Sequence, residues 1–341
     1  MKIRPPLGVI AALFALPAAA QQPPAATPAA PAAAASASAA RDALAPKEGD
    51  ADQSTLLKQT LTAVDKQYSL IKRGRLQATY DFGYTYIGQE RINADLSSGE
   101  LTLFSIENDS SHTATNTLTV DYGIQNNLTG SISLPLVSKY SQNRAYEGTS
   151  HSVGDIGLGL RWQPLETRRG RPSATATTLL RLPTGRSPFK VDAEKGLATG
   201  SGVASLSAGL NLNHIVDPVA LFGSINLTYS APAKHLSQIR NGRVLTRVEP
   251  GMSFGFGLGF AYALSYDIST SISLQESISA GSKLRFRDGR TIKTTTQTAG
   301  ILNFGLGYRI SPKTTLNITV GVGLTNDSPN FTLGLSLPLS L

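Results

Sequence analysis

The chain has 341 residues, of which 40% are hydrophobic and only 16% charged, with 32 Gly, 19 Pro, one Trp and no Cys. A mean hydropathy of −0.07 is too polar for a bundle of membrane helices, the low charge and abundant glycine argue against an ordinary helical enzyme, and the missing cysteine excludes disulfide scaffolds, thiolate metal sites and cysteine nucleophiles. The 31 Lys and Arg against 23 Asp and Glu give +8, a modest excess spread along the chain that points away from nucleic acid as a partner.

Residues 1–20 carry Lys2 and Arg4, the apolar run Leu7 to Leu16 and then Ala18-Ala19-Ala20 before Gln21, the order of a cleaved secretory signal. A membrane anchor needs about 18–20 apolar residues, and Pro5, Pro6 and Pro17 bracket this run too tightly. Residues 21–51 are dominated by Ala, Pro, Gln and Ser and form a linker without an apolar face. Over 52–74 the pattern predicts a periplasmic amphipathic helix, capped by Asp52 or Ser54 and stopped by Gly74. Leu57, Leu61, Val64, Tyr68 and Ile71 follow at spacings of 4, 3, 4 and 3, a short heptad seam that fits a plug, a short coiled coil or a helix packed on its own protein.

From Gln77 onward the period becomes two. Ala78, Tyr80, Phe82, Tyr84 and Tyr86 share one face, as do Leu118, Val120, Tyr122 and Ile124, and the alternation runs on to Phe331, Leu333, Leu335, Leu337, Leu339 and Leu341, for about twelve strands. The opposite face carries Ser, Thr, Asn, Gly and the charges Asp81, Asp121, Arg161, Arg181 and Arg309. A soluble sandwich with that interior would bury many unpaired polar groups. Short connections near 126–127, 164–172, 213–217, 265–266 and 311–313 alternate with long ones near 88–112, 138–151, 184–199, 230–250 and 280–294. The expected fold is therefore all-β, a twelve-stranded antiparallel outer-membrane barrel over 77–341, apolar outside and polar inside, with both termini periplasmic. Pro135, Pro183 and Pro338 each lack a ladder donor and should mark strand ends or bulges.

The expected lumen lining is Asp81, Asp121, Arg161, Arg181, Ser253, Gly255, Gly257, Gly259 and Arg309, with Phe222 the clearest bulky inward residue. Gly255, Gly257 and Gly259 alternate with large apolar residues, so they are small inward positions rather than a phosphate loop. Lys283, Arg285, Arg287, Arg290 and Lys293 cluster in one external loop and Arg240, Arg243 and Arg247 in another. Such clusters suit either an anionic solute or polypeptide at the mouth, or the phosphates of outer-leaflet lipopolysaccharide. Enzymatic signals are poor: His112, His151, His214 and His235 are scattered without metal-ligand spacing, and Gly251-Met252-Ser253-Phe254-Gly255 matches a nucleophile elbow but sits inside a continuous strand pattern. His151-Ser152 shares only two residues with the catalytic run of outer-membrane phospholipases, because Val153-Gly154 follows. No catalytic residue, metal or cofactor is expected.

Several stretches resemble a known family: Gly154-Asp155-Ile156-Gly157-Leu158-Gly159-Leu160-Arg161-Trp162, Arg171-Pro172-Ser173, Arg181-Leu182-Pro183-Thr184-Gly185, Gly200-Ser201-Gly202, and Asp217-Pro218 with Leu221-Phe222-Gly223-Ser224. Together they resemble the outer-membrane channels of the meta-pathway phenol-degradation family, which is related to the secretion barrel of the bacterial functional-amyloid system. The resemblance implies passive or gated transport through a twelve-stranded barrel, of small aromatic solutes or of a secreted polypeptide. Its amyloid branch implies a periplasmic coiled coil and plug helix that trimerises the protein, for which Leu57 to Ile71 is the counterpart here. The alternating tail Phe331 to Leu341 suits the barrel-assembly machinery, although the final residue is Leu where many such barrels end in Phe. The competing expectation is a structural or adhesive barrel without an open pore.

Overall fold

The computed structural model describes residues 71–95, 103–142, 147–164, 172–191, 197–216, 219–240, 242–265, 267–311 and 314–339. The expected signal and linker, and Leu57, Leu61, Val64 and Tyr68 of the seam, lie outside these residues. In chain order the strands are β1 (Leu76–Asp95), β2 (Leu103–Gln125), β3 (Leu128–Gln142), β4 (Glu147–Val153), β5 (Ile156–Trp162), β6 (Ser173–Leu182), β7 (Ser205–Val216), β8 (Val219–Ser230), β9 (Gln238–Arg240), β10 (Arg243–Glu249), β11 (Ser253–Ala263), β12 (Ile268–Ser279), β13 (Lys283–Phe286), β14 (Thr291–Lys293), β15 (Gln297–Ser311), β16 (Thr314–Gly323) and β17 (Phe331–Leu339).

β4 and β5 pair with successive parts of β3 and together count as one broken wall strand. With β1–β3, β6–β8, β11, β12 and β15–β17 they make twelve antiparallel wall strands, closed by β1 against β17 over Ala78↔Leu339 to Tyr86↔Phe331. Closure leaves no sheet edge to hydrocarbon, which cannot satisfy backbone groups. Pro135 lies where β3 exchanges β5 for β4, and its carbonyl accepts from Gly154 N–H at 2.8 Å, so its missing donor falls at the break.

Burial is inverted relative to a soluble protein. Leu134, Leu136, Leu158, Leu160, Trp162, Ile225, Leu258 and Phe304 are exposed, whereas Asp121, Thr129, Ser141, Asn213, Ser253, Ser271, Asn317 and Ser336 are buried. The registers place each set on one face: Val120, Ile132, Leu158 and Leu180 align across four strands outside, and Thr119, Ser133, Gly157 and Arg181 inside. The polar face is the lumen of the barrel and the apolar face its outer surface.

Two expectations are corrected. The helix does not run to Gly74: Ile71 and Lys72 are irregular and Arg73–Gly74 form a turn, with Gly74 at φ 77°. The cause is competition, because Ile71 N–H and Gly74 N–H bond to Thr129 and Gly123 of the wall and Arg75 N–H closes only a turn on Lys72 O. The connections near 230–250 and 280–294 are not plain loops either. They hold β9–β10 and β13–β14, which pair through β10 and β13 into a separate four-stranded sheet above the wall.

Parity along the strands gives a direct test. Ile132→Arg puts a cation on the outer face and should cost about 2–4 kcal/mol of barrel stability if it lies near the bilayer midplane. Thr119→Arg, inward on the neighbouring strand, should be tolerated. Folding into lipid vesicles, read by heat-modifiable gel mobility, checks both, and equal loss in the two variants would contradict the parity.

Candidate functional site

The lumen wall is built from small inward residues that interlock. The Cα of Gly159 faces Ser131 Oγ, that of Gly157 faces Ser133 Oγ, that of Gly305 faces Ser271 Oγ and that of Gly257 faces Ser224 Oγ, each too close to admit a Cβ without displacement. Gly255 is covered by the Asn226 amide and Gly259 by the Phe222 ring. Glycine on one strand is thus the seat for a polar or aromatic side chain on the next. Arg161 of β5 reaches across β3 to form an ion pair with Asp121 of β2. Asp81 lies opposite Ser336, Arg309 Nε donates to Ser311 O at 3.4 Å, and Ser253 Oγ bonds Ser279 Oγ at 2.8 Å. Midway along the wall, Asn211, Asn213, Phe222, Ser224, Ser273 and Gln275 border a recess. The side-chain amide of Asn213 has no protein partner among the described residues, which suits a hydrated wall.

At the long-loop end, three separated stretches meet at Asp155. Its Oδ1 accepts from Gly185 N–H at 3.0 Å, and its Oδ2 accepts from Ser201 N–H at 2.7 Å and Ser201 Oγ–H at 2.6 Å. Thr184 Oγ1 accepts from Ile156 N–H and donates to Gly154 O, both at 2.9 Å, tying the same turn to the wall where β4 gives way to β5. Gly185 and Gly200 touch backbone to backbone, so neither position admits a side chain. Farther along, Arg186 Nη1 donates to Ser150 Oγ at 3.3 Å and Thr199 Oγ1 to Val153 O at 3.1 Å. Ser150 is inward-facing by register with Lys139, so the β6–β7 connection folds against the inner side of the wall. Lys139 and Arg181 are close enough to Asp155 to interact electrostatically.

The four-stranded sheet closes over this connection. Leu245, at 0% exposure, packs with Val203, Ala233, Val248, Leu284 and Phe286, and with the half-buried Phe189 and Leu236. Gln238 Nε2 donates to Pro188 O at 2.8 Å and Val191 O at 2.7 Å. The sheet is a lid with its own apolar core, to which the connection beneath it contributes Val203 and Phe189.

At the short-turn end, Ile71 N–H donates to Thr129 Oγ1 at 2.9 Å, and Thr129, at 0% exposure, faces the lumen directly opposite Arg161 and one inward row from Asp121. Gly74 N–H donates to Gly123 O at 2.8 Å and Gly123 N–H to Arg75 O at 3.0 Å. A Cβ on Gly123 would collide with the carbonyl groups of Ile71 and Lys72. Ile71 and Lys72 therefore lie just inside the barrel.

Of the residues named from sequence, Asp81, Asp121, Arg161, Arg181, Ser253, Gly255, Gly257, Gly259 and Arg309 all lie on the inward face. The basic residues separate: Arg247 and Arg285 share Glu249 Oε1 at 2.8 and 3.0 Å, Arg243 pairs with Asp288 at 3.4 Å, and Lys283, Arg287, Arg290 and Lys293 are exposed. The histidines stay apart, His112 lying on the outer face against Tyr84 and Tyr86. Sequence reasoning missed Asp155 as an anchor, although Gly154-Asp155, Thr184-Gly185 and Gly200-Ser201-Gly202 had been singled out one by one. It also missed Gly123 and the lid core, for which the alternation Lys283-Leu284-Arg285-Phe286 was the available signal.

Residues 93–341 match the family described by the MetA-pathway of phenol degradation. Among solved structures, an outer-membrane channel of Pseudomonas putida F1 superposes with a TM-score of 0.60 at 17% identity, covering 80% of this chain and 97% of that one. The transport unit of the autotransporter AIDA-I of Escherichia coli gives 0.47 at 12% identity, covering 82% and 96%. The toluene transporter TodX of Pseudomonas putida gives 0.43 at 10% identity, covering 77% and 88%. The first of these shows the same barrel fold.

Asp155→Ala removes three accepting contacts of a type worth about 1.5–3 kcal/mol each when charged, and should detach the β6–β7 connection without opening the barrel. Hydrogen exchange at Gly185 and Ser201 should accelerate at least tenfold while heat-modifiable mobility stays unchanged. Unaltered exchange would show that Asp155 does not hold the connection.

Proposed function

The chain belongs to the family of the MetA-pathway of phenol degradation, and on that premise we propose that it is an outer-membrane channel for small aromatic solutes, with both chain ends on the periplasmic side. The observation that carries this reading is a closed barrel, polar within, whose long-loop end is narrowed by a connection latched to Asp155 and roofed by a cored lid. A secreted polypeptide would have to displace both layers at once. A small solute needs only rearrangement of side chains between them, which favours solute passage over polypeptide export. The recess at Phe222 supplies an aromatic face beside the amides of Asn213 and Gln275, a pairing suited to a ring that bears a hydroxyl.

The contacts of Ile71 with Thr129 and of Lys72 with Gly123 lie on the inner side of the wall at the short-turn end. That placement supports the reading of residues 52–70 as a plug over their reading as a trimerising coiled coil. Assembly of the barrel through its alternating C-terminal strand, and a periplasmic start of the mature chain near Gln21, belong to the same proposal.

Planar-bilayer conductance of the full chain and of a form lacking residues 47–70 tests the reading. The truncated form should conduct at least several-fold more, and vesicles containing it should admit phenol faster than empty ones. Phe222→Ala should slow phenol admission relative to chloride. Absence of conductance in both forms would leave a structural or adhesive barrel in place of a channel.

A further inference from the structure

The corner around Asp155 holds cations that its hydrogen bonds do not use. Lys139 of β3 and Arg181 of β6 both face the lumen, and Asp155 is the acid among the described residues whose charge reaches them. Arg186 adds a third cation, through its bond to Ser150 directly opposite Lys139. The two oxygens of Asp155 are already taken by Gly185 N–H, Ser201 N–H and Ser201 Oγ–H. The ion pairs of the described residues join Arg161 to Asp121, Arg243 to Asp288, and Arg247 and Arg285 to Glu249, and neither Lys139 nor Arg181 enters one. Both are half-buried inside the barrel, where positive charge exceeds negative.

Each of these two cations has an aliphatic neighbour. The inward positions nearer the short-turn end are short and polar, Ser131 and Ser133 on β3 and Thr175 and Thr177 on β6. Val137 and Leu179 break that pattern, two residues before Lys139 and Arg181 and on the same faces. Val137 Cγ2 lies against Gly154 and Leu179 Cδ1 against Gly157, the glycines before and after Asp155 in the chain. Both strands run toward the long-loop end, so on each the cation stands about 7 Å beyond its aliphatic neighbour.

We propose that this corner binds an aromatic carboxylate, with Lys139 and Arg181 taking the carboxylate and Val137 and Leu179 the ring, and that it selects anionic aromatics among the solutes of the channel. The inference rests on the channel reading above and names the charge class of the solute. At neutral pH a carboxylate is ionised, whereas a phenolic hydroxyl with an ordinary pKa of about 10 is not, so the cations separate the two. Arg181 offers a planar fork that matches a carboxylate, and Lys139 a mobile point charge. Cationic side chains lining a lumen are a general source of anion selectivity.

The test is equilibrium dialysis of radiolabelled benzoate against the full chain in detergent, with benzyl alcohol and acetate as competitors. Benzoate should bind, weaken with salt, and be displaced by either competitor only at concentrations at least tenfold higher. Lys139→Gln/Arg181→Gln should weaken it about tenfold, and each single substitution part of the way, with heat-modifiable mobility unchanged to show that the variants fold. Arg290→Gln, in the exposed β13–β14 turn, should bind as the parent does. An unweakened double variant, or benzyl alcohol competing at the concentration of benzoate, overturns the anion site, and acetate competing at that concentration overturns the aromatic ligand. Binding is read without ion flow. A chain that binds benzoate but conducts nothing keeps the site and loses the channel reading, and a conducting chain that does not bind it loses the site alone.

Discussion

Everything in this molecule depends on backbone hydrogen bonds that have no solvent to fall back on. In hydrocarbon an unpaired N–H or C=O costs several kcal/mol, so the first and last strands must find each other across the whole chain. The β1–β17 register does this over nine consecutive pairs, Ala78↔Leu339 to Tyr86↔Phe331. Once that seam is fixed, the face of every side chain follows by parity, because a shift of one residue would turn Asp81 and Ser336 to the lipid and Tyr80 and Leu337 to the lumen.

Closure creates a second constraint inside. A twelve-stranded wall curves its inner faces toward one another, and the inward positions are accordingly glycine or short polar residues in complementary pairs: Gly159 beneath Ser131, Gly305 beneath Ser271, Gly259 beneath Phe222. The interlock packs the inner wall, beside one small apolar cluster of Ala220, Ala261 and Ala263 under Phe222, and it spaces the lumen by side-chain size. Phe222 can pack over β11 only because Gly259 offers no Cβ, which joins a backbone requirement on β11 to the aromatic surface of the recess on β8.

Parity along each strand was legible in the sequence because it is local: Leu118, Val120 and Tyr122 declare one face within five residues. Strand number, closure and the inward placement of Asp121, Arg161 and Gly257 followed from it. The devices at the two ends were not legible, since each is made of contacts between distant segments. Asp155 bonds to residues 30 and 46 positions away, and Gly123 receives the carbonyls of Ile71 and Lys72. The lid strands were hidden for another reason. Their period-two signal, Lys283-Leu284-Arg285-Phe286, is only four residues long and alternates with charge, so it resembled a basic loop until Leu245 and Val203 supplied a core for it. The family motifs sit at the middle of this difficulty: their glycines and Thr184 are recognisable singly, but only their convergence on one carboxylate explains why those residue types are required.

The two ends are closed by different physics, and the difference orders what can move. At the long-loop end a single carboxylate takes three donors from the connection while an apolar core of six buried residues clamps the same connection from above. Neither layer can leave alone without exposing the other's apolar or polar partners. At the short-turn end the described contacts of residues 71–75 are backbone hydrogen bonds, the Thr129 hydroxyl and the Asn126 side-chain carbonyl, with no apolar burial comparable to the lid. Displacing them exposes groups that water at the barrel mouth can satisfy, so the barrier is lower there. Opening from the short-turn side while the lid remains folded is therefore the cheaper motion, and it keeps the recess at Phe222 roofed from the outside as the chain ahead of β1 moves.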